Sequence, residues 1–293
     1  MTGQRPIIAF LYDFDKTLCT TDMQNYAFIP SLGMTPADFW AEANGFGRQN
    51  RIDGILAYMY IMLREAERRN RPFTREDLVE KGRGIELFPG VEGWFGRVNA
   101  FGETQGVRVE HYVISSGLRE IIEGSSISRE FKEIYASEFY YDPAGRPAWP
   151  KLAVNFTAKT QFVYRINKGV LDVSDDKTLN DSVPDDSKRV PFPNMIYMGD
   201  GLSDVPCMKM MRAYGGQAIA VYQDANRTGV EELLAKKRVD FIFPADYREG
   251  TGLDTTVKDI IRKIAVADRL WGENHRQLRH LGEDVLPDQV ELF

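Results

Sequence analysis

The sequence predicts an α/β protein built on a doubly wound parallel sheet. Three observations carry that expectation. Short runs apolar on both faces recur along the chain, as in buried parallel strands. Helical stretches stand between them. Acidic or small polar residues follow several of the strands, at the ends where open α/β sheets bind ligands. The predicted strands are Ile7–Tyr12, Val107–Ile114, Met195–Met198, Ala218–Tyr222 and Asp240–Phe243. The predicted helices are Glu92–Phe101, Leu118–Glu123, Thr160–Asn167, Asp204–Met211 and Val230–Lys237.

Between the first two strands, from Cys19 to about Glu86, no strand pattern occurs. Thr35-Pro36-Ala37-Asp38 reads as an N-cap, a proline at the first helical position and an acid in the first turn. Thr74-Arg75-Glu76-Asp77 repeats that logic. Ile52, Ile55, Leu56, Met59, Leu63 and Ala66 recur at helical spacing. An all-helical insertion of roughly 70 residues is expected, far longer than the usual ~2–6-residue βα loop. Phe88-Pro89-Gly90 then marks the return to the sheet. Further on, Phe139–Tyr141 and Leu152–Phe156 flank Asp142-Pro143-Ala144-Gly145, the pattern of a hairpin around a type I turn. Leu171–Pro193 has no apolar period and reads as a solvated loop.

Composition excludes several functional classes. The chain of 293 residues carries 37 basic and 43 acidic residues, a net charge of −6, which argues against a nucleic-acid backbone binder. A small phosphorylated ligand needs only a few local cations and is not excluded. The longest apolar run, Ile55–Leu63, falls short of the ~18 residues of a membrane span, so no membrane partner is expected. The N-terminal segment lacks the pattern of a secretory signal, and a cytoplasmic protein is expected. Cys19 and Cys207 are too few for a disulfide framework and read as packed free thiols.

The chemistry concentrates at the strand ends. Asp13 and Asp15 share one face of extended chain after Ile7–Tyr12. Two such carboxylates repel unless a cation or proton lies between them, and hard oxygen ligands suit Mg²⁺. Asp200 and Asp204 follow another apolar strand in Gly199-Asp200-Gly201-Leu202-Ser203-Asp204, where the glycines permit a tight turn. Asp204 is equally readable as a first-turn acid favoured by the helix dipole. Ser115, in Val113-Ile114-Ser115-Ser116-Gly117, is readable as a phosphate contact or as a helix N-cap. Lys159 opens the helical stretch after the hairpin.

Together these segments resemble the haloacid dehalogenase-like hydrolases, in their phosphoserine-phosphatase-like branch. The first motif is Asp13-Phe14-Asp15-Lys16-Thr17-Leu18, the second Ser115, the third Lys159 and the fourth Gly199–Asp204. The resemblance implies a Rossmann-like core with an inserted α-helical cap domain. The expected division is 1–18 and 87–270 for the core, 19–86 for the cap and 271–293 for a C-terminal helical tail. It also implies a Mg²⁺-dependent phosphatase acting on a small phosphorylated metabolite through an aspartyl-phosphate. Asp13 would be the nucleophile and Asp15 the general acid and base. Asp13, the Asp15 carbonyl and Asp200 would hold Mg²⁺, with Asp204 in support. Thr17, Ser115, Ser116, Gly117 and Lys159 would contact the phosphoryl group, Ser115 being preferred over Ser116 by register.

The chain departs from the branch in Ser116, where glycine is common, and in Ser203, where asparagine is common. The cap acid and arginine that recognise phosphoserine in relatives have no counterpart pattern around Asp22. Phosphoserine is therefore not assigned as substrate, and the oligomeric state is left open. Arg48, Arg51 and Arg64 are the cap cations available to an anionic substrate. Trp40, Tyr58 and Tyr60 read as helical core. Phosphoryl transfer between metabolites, or a silent phospholigand-binding protein, are the competing functions; all four motif acids are intact.

Overall fold

Every residue of the first strand, β1 (Ile7–Tyr12), is buried, and this places it at the centre of the sheet. In the computed structural model, which describes residues 5–184 and 187–280, six more strands follow. They are β2 (Arg108–Leu118), β3 (Glu133–Tyr141), β4 (Pro147–Leu152), β5 (Met195–Gly199), β6 (Gln217–Tyr222) and β7 (Phe241–Pro244). The sheet order is β4-β3-β2-β1-β5-β6-β7. All neighbours run parallel except β3 and β4. The chain winds outward from β1 through β2 and β3, then restarts on the other side with β5. The reversal lies between β1 and β5, and their carboxyl ends form the crevice where such sheets bind ligands.

The alternation of β1 explains the two layers of helix. Ile8, Phe10 and Tyr12 enter one core cluster, and Ile7, Ala9 and Leu11 the other. On the first face lie α5 (Val91–Thr104), α6 (Arg119–Gly124) and α11 (Gly252–His280), contributing Trp94, Ile121 and Ile261. On the second lie α7 (Lys159–Lys168), α9 (Val205–Ala213) and α10 (Arg227–Ala235), contributing Phe162, Met208 and Leu233. α11 is a single 29-residue helix, so it continues across the expected boundary between residues 270 and 271. The rest of that expected tail, residues 281–293, lies outside the described residues. Among the described residues no helix is long and apolar enough to cross a membrane.

His111 in β2 is buried between Tyr12 and Asn99, with ring contacts to both ring nitrogens at 3.1 and 2.9 Å. Burial drives its imidazole down from 6.5 to about 3. The unfolded chain therefore takes up a proton below pH 6.5 that the folded chain refuses until about pH 3. Stability from this group is complete above pH 6.5 and declines as the pH falls. Relative to a His111→Gln variant, the wild type is expected to lose about 2 kcal/mol between pH 7 and pH 5 in urea unfolding. Parallel pH dependences for the two proteins would contradict this.

The long connection from β1 to β2 is helical, as expected. It contains a short 3₁₀ turn at Met23–Asn25, then α1 (Phe28–Ser31), α2 (Pro36–Asn50), α3 (Gly54–Arg68) and α4 (Arg75–Gly82). Thr35 caps α2 by accepting from the Asp38 amide, and Thr74 and Asp77 form a capping box on α4. The insertion enters and leaves through a narrow neck, where the Thr20 amide donates to Glu86 and the Phe88 amide to Leu18, both at 3.0 Å. Gly90 adopts φ +83° and lies so close to the Tyr247–Arg248 backbone that a Cβ would collide with it.

Four expectations differ from the structure. β2 runs to Leu118 with an irregularity after Ile114, so Ser115 to Gly117 belong to the strand end and α6 begins at Arg119. β3 was not expected as a full strand, because Glu133, Ser137 and Glu138 interrupt its apolar pattern. It nevertheless pairs with β2 through Glu133–Ser137. The second hairpin arm is Pro147–Leu152 rather than Leu152–Phe156. Its two prolines hide it, yet they are tolerated on an edge strand. Within the solvated loop Leu171–Pro193 a short helix, α8 (Asp176–Asn180), forms, and buried Arg165 donates to the Asp172 and Val173 carbonyls that precede it.

Candidate active site

Asp13 is the first residue beyond β1, and Asp200 the first beyond β5. Parallel pairing of those strands in register sets the two acids side by side at the reversal of the sheet. The Asp13 amide donates to the Met198 carbonyl at 2.8 Å, which continues the β1–β5 ladder into the site. After Asp13 the chain turns sharply. The Leu18 and Cys19 amides both donate to the Phe14 carbonyl, and Lys16 takes a left-handed φ of 57°. Tyr247 clamps the same turn by donating to the Thr17 carbonyl at 2.7 Å.

Asp13, Asp200 and Asp204 present carboxylate oxygens within 4.8 Å of one another. One cation already meets the group. Lys159, the first residue of α7, is wholly buried, and its Nζ lies 3.0 Å from Asp13 Oδ1 and 2.7 Å from Asp204 Oδ1. Tyr197 also donates to Asp204 Oδ1, at 2.8 Å. Asp204 Oδ2 is buried without a partner. It packs against Gly199, where any Cβ would collide with the carboxylate. Three carboxylates with one lysine leave an excess of negative charge, and one orphaned acceptor remains. That donor set fits a hard divalent cation bound through oxygen.

The electrostatics follow from this crowding. Burial, then Asp204, push the Asp13 carboxyl up to about 6 against the pull of Lys159. Burial, then the Asp13 and Asp204 charges, push Asp200 to about 8. Burial alone would lower the Lys159 ammonium, but the Asp13 and Asp204 carboxylates outweigh it and hold Lys159 well above the usual lysine range, so that it stays charged.

Asp15 faces elsewhere. Its Oδ1 accepts from the Met23 amide at 2.8 Å, and its side chain is absent from the carboxylate triad. Burial, then the neighbouring Asp22 and Asp13 charges, raise its carboxyl well above the ordinary value. A carboxyl so placed favours its protonated form and is suited to donate a proton.

Around these acids lie hydroxyls of two kinds. Thr17 Oγ1 and Ser116 Oγ are buried with no partner, as expected of groups awaiting a ligand oxygen. Ser115 Oγ, the serine preferred from register, instead accepts from the Gly117 amide at 3.0 Å. It is not a helix N-cap, since α6 starts after Leu118. The Leu118 amide points to Met23 Sδ at 3.1 Å. Gly117 allows close approach of the insertion, because a Cβ there would collide with Met23 and stand 3.0 Å from Asp15 Oδ2.

A cavity of about 470 Å³ opens beside Asp15, Ser116 and Gly117, walled on its far side by the helical insertion. Tyr58 lies in the helical core and Trp40 packs against it, as expected; both also line the cavity, and their rings meet at 67° with centroids 5.8 Å apart. Tyr58 also donates to the Ser116 carbonyl at 2.8 Å, which ties α3 to the site. Asn155 donates to Asp53 at 3.0 Å across the same gap. Tyr60 is exposed and stacks on Phe46 instead. Arg48 and Arg51 are exposed, Arg64 pairs with Glu42 and Glu65, and none of the three lines the cavity. The cavity residues Gln24, Asp53 and Tyr58 carry no motif, and only the fold brings them to the site. Cys19 and Cys207 are buried free thiols, as expected.

The family model of haloacid dehalogenase-like hydrolases matches residues 10–209, and the chain belongs to that family. An uncharacterized protein of Borreliella burgdorferi is 27% identical over 280 residues, spanning 86% of this chain and 96% of that one. Among solved structures, a substrate-bound phosphoserine phosphatase has the same fold, with a TM-score of 0.54 at 13% identity over 85% of this chain and 97% of that one. A HAD family hydrolase from Salmonella enterica serovar Typhi also scores 0.54, at 14% identity over 83% and 69% of the two chains.

Proposed function

We propose that the protein is a Mg²⁺-dependent phosphatase that hydrolyses a small phosphomonoester through an aspartyl-phosphate on Asp13. The observation that carries this is the buried Lys159 bridging Asp13 and Asp204 beside a triad of carboxylates and an Asp15 held apart by the Met23 amide. Membership of a hydrolase family, and the similar fold of a phosphoserine phosphatase, support the phosphoester class.

In this reading Asp13 attacks phosphorus, and the bond to the leaving oxygen breaks as Asp15 gives that oxygen its proton. Asp15, now a carboxylate, then takes a proton from a water whose oxygen attacks the aspartyl-phosphate. The bond between phosphorus and Asp13 breaks, phosphate leaves, and both acids return to their starting states. Lys159 holds Asp13 in place and offsets charge that builds on the phosphoryl oxygens. Thr17 and Ser116 offer their unpartnered hydroxyls to those oxygens, with Ser115 and Gly117 shaping the strand end around them. Asp13, Asp200 and Asp204, with the Asp15 carbonyl, are the groups that would hold Mg²⁺. When bound, the ion offsets repulsion between the Asp13 carboxylate and the substrate phosphate. The helical insertion, residues 19–86, acts as the cap that keeps bulk water from the site, and the protein works in the cytoplasm.

Phosphate release from a panel of phosphomonoesters, with Mg²⁺ and with chelator, tests the reading. Turnover that vanishes with chelator is expected. Unchanged turnover in chelator would contradict the metal assignment, and ligand binding without any turnover would favour a silent binding protein.

A further inference from the structure

The wall of the cavity beside Asp15 bears on which leaving group it accepts. Among the described residues no lysine or arginine side chain lines it. Its acidic groups are Asp15, the proton donor of this reading, and the carboxylates of Asp22 and Asp53; Asp22 pairs with Lys16 at 2.8 Å, and Asp53 has no cation but accepts from the Ile55 and Leu56 amides and from Asn155. Gln24 also forms part of the wall; it is 1% exposed and its Oε1 has no partner. The wall therefore carries uncompensated negative charge on Asp53 and an unpartnered acceptor on Gln24. Trp40 and Tyr58 add two aromatic rings to the lining, packed edge to face on each other. A carboxylate or second phosphate on the substrate would meet only like charge here. A positively charged ammonium would meet carboxylates, an unpartnered carbonyl and two rings, the combination that attracts organic cations.

We propose that the leaving alcohol carries a protonated or quaternary amine, so that the preferred substrates are phosphate esters of amino alcohols; this rests on the phosphomonoesterase reading above. Asp15 and Ser116 mark the phosphoryl end of the cavity. Trp40, Tyr58, Gln24 and Asp53 receive the amine end. Phosphoserine itself fits less well, because its carboxylate finds no cation.

The test compares kcat/KM of the full chain with Mg²⁺ on phosphoethanolamine, phosphocholine, phosphoserine, phosphoglycolate and glycerol phosphate, with p-nitrophenyl phosphate as a reporter indifferent to the amine. The two amine esters are expected to exceed phosphoglycolate and glycerol phosphate by about tenfold or more. Asp53→Asn keeps an N-cap on α3, since asparagine caps as well as aspartate, but removes the charge. It should shrink the ratio of phosphocholine to glycerol phosphate severalfold, and Trp40→Leu should do so independently. Equal or greater kcat/KM on phosphoglycolate or glycerol phosphate, or a ratio unmoved in both variants, would overturn the proposal while leaving the phosphatase intact. Failure to hydrolyse any ester, p-nitrophenyl phosphate included, would overturn the phosphatase reading and the proposal with it.

Discussion

Replacing Asp13 by asparagine is expected to lower kcat by about 10⁴-fold or more, some ~5.5 kcal/mol of barrier, while the protein stays folded. The amide is too poor a nucleophile to form the phosphoryl bond, and its loss of charge weakens the carboxylate triad. The fold should survive because the side chain's partners keep others. Lys159 retains Asp204 at 2.7 Å, and the Phe14 amide, which donates to Asp13 Oδ1 at 2.8 Å, can donate to the asparagine oxygen as well. Steady-state kinetics checked against the far-UV circular dichroism and urea unfolding of the variant decide the matter. Retention of more than about a tenth of wild-type kcat, under ~1.4 kcal/mol, would remove Asp13 as nucleophile.

Lys159→Ala should be the second severe loss, about 10²–10³-fold in kcat/KM, or ~3–4 kcal/mol. The geometry adds a second consequence. Without Lys159 three carboxylates face one another within 4.8 Å with no cation in contact, and one of them, Asp204, is fully buried. Stripping a buried ion pair of one partner costs about 3–5 kcal/mol. The variant's thermal midpoint should therefore drop in chelator and recover in part as Mg²⁺ is added, a dependence much weaker in the wild type. Lys168, at the other end of α7, serves as the comparison. Its Nζ donates to the Leu179 and Asp181 carbonyls at 2.6 and 2.8 Å, far from the triad, so Lys168→Ala should cost about 1 kcal/mol of stability and leave kinetics unchanged. A larger kinetic effect from Lys168 than from Lys159 would show that the wrong lysine has been assigned to the phosphoryl site.

Much of the sheet was legible in the sequence because buried parallel strands are apolar on both faces, and β1, β5 and β6 show that pattern plainly. Asp13 and Asp200 were legible for the same reason: each is the first charge after such a run. Two features hid from the sequence. β4 is the edge strand and β3 lies next to it, and prolines in the one and glutamates in the other break the apolar pattern. The strand end after Ile114 bends while remaining strand, so the sequence offers both serines as phosphoryl contacts and register alone favours Ser115 over Ser116. In the fold Ser115 Oγ is satisfied locally, and Ser116 Oγ is left without a partner. The insertion's helices were legible from capping residues and spacing, but their facing was not. Trp40 and Tyr58 carry the same apolar signal whether they fill a core or line a cavity. The cap arginines gave a charge signal that the fold directs elsewhere. Asp53 caps α3 and meets Asn155 at the cavity, and no sequence pattern marks it for that place.

The covalent intermediate on Asp13 is the centre of the account, and rapid acid quench followed by peptide mass spectrometry tests it most directly. With substrate and Mg²⁺ in the millisecond range, the peptide containing Asp13 should gain the mass of one phosphoryl group, with fragment ions assigning it to Asp13 and not Asp15, and the signal should disappear in Asp13→Asn. Substrate turnover with no phosphorylated peptide at any quench time, or a phosphoryl group mapped to another residue, would contradict it.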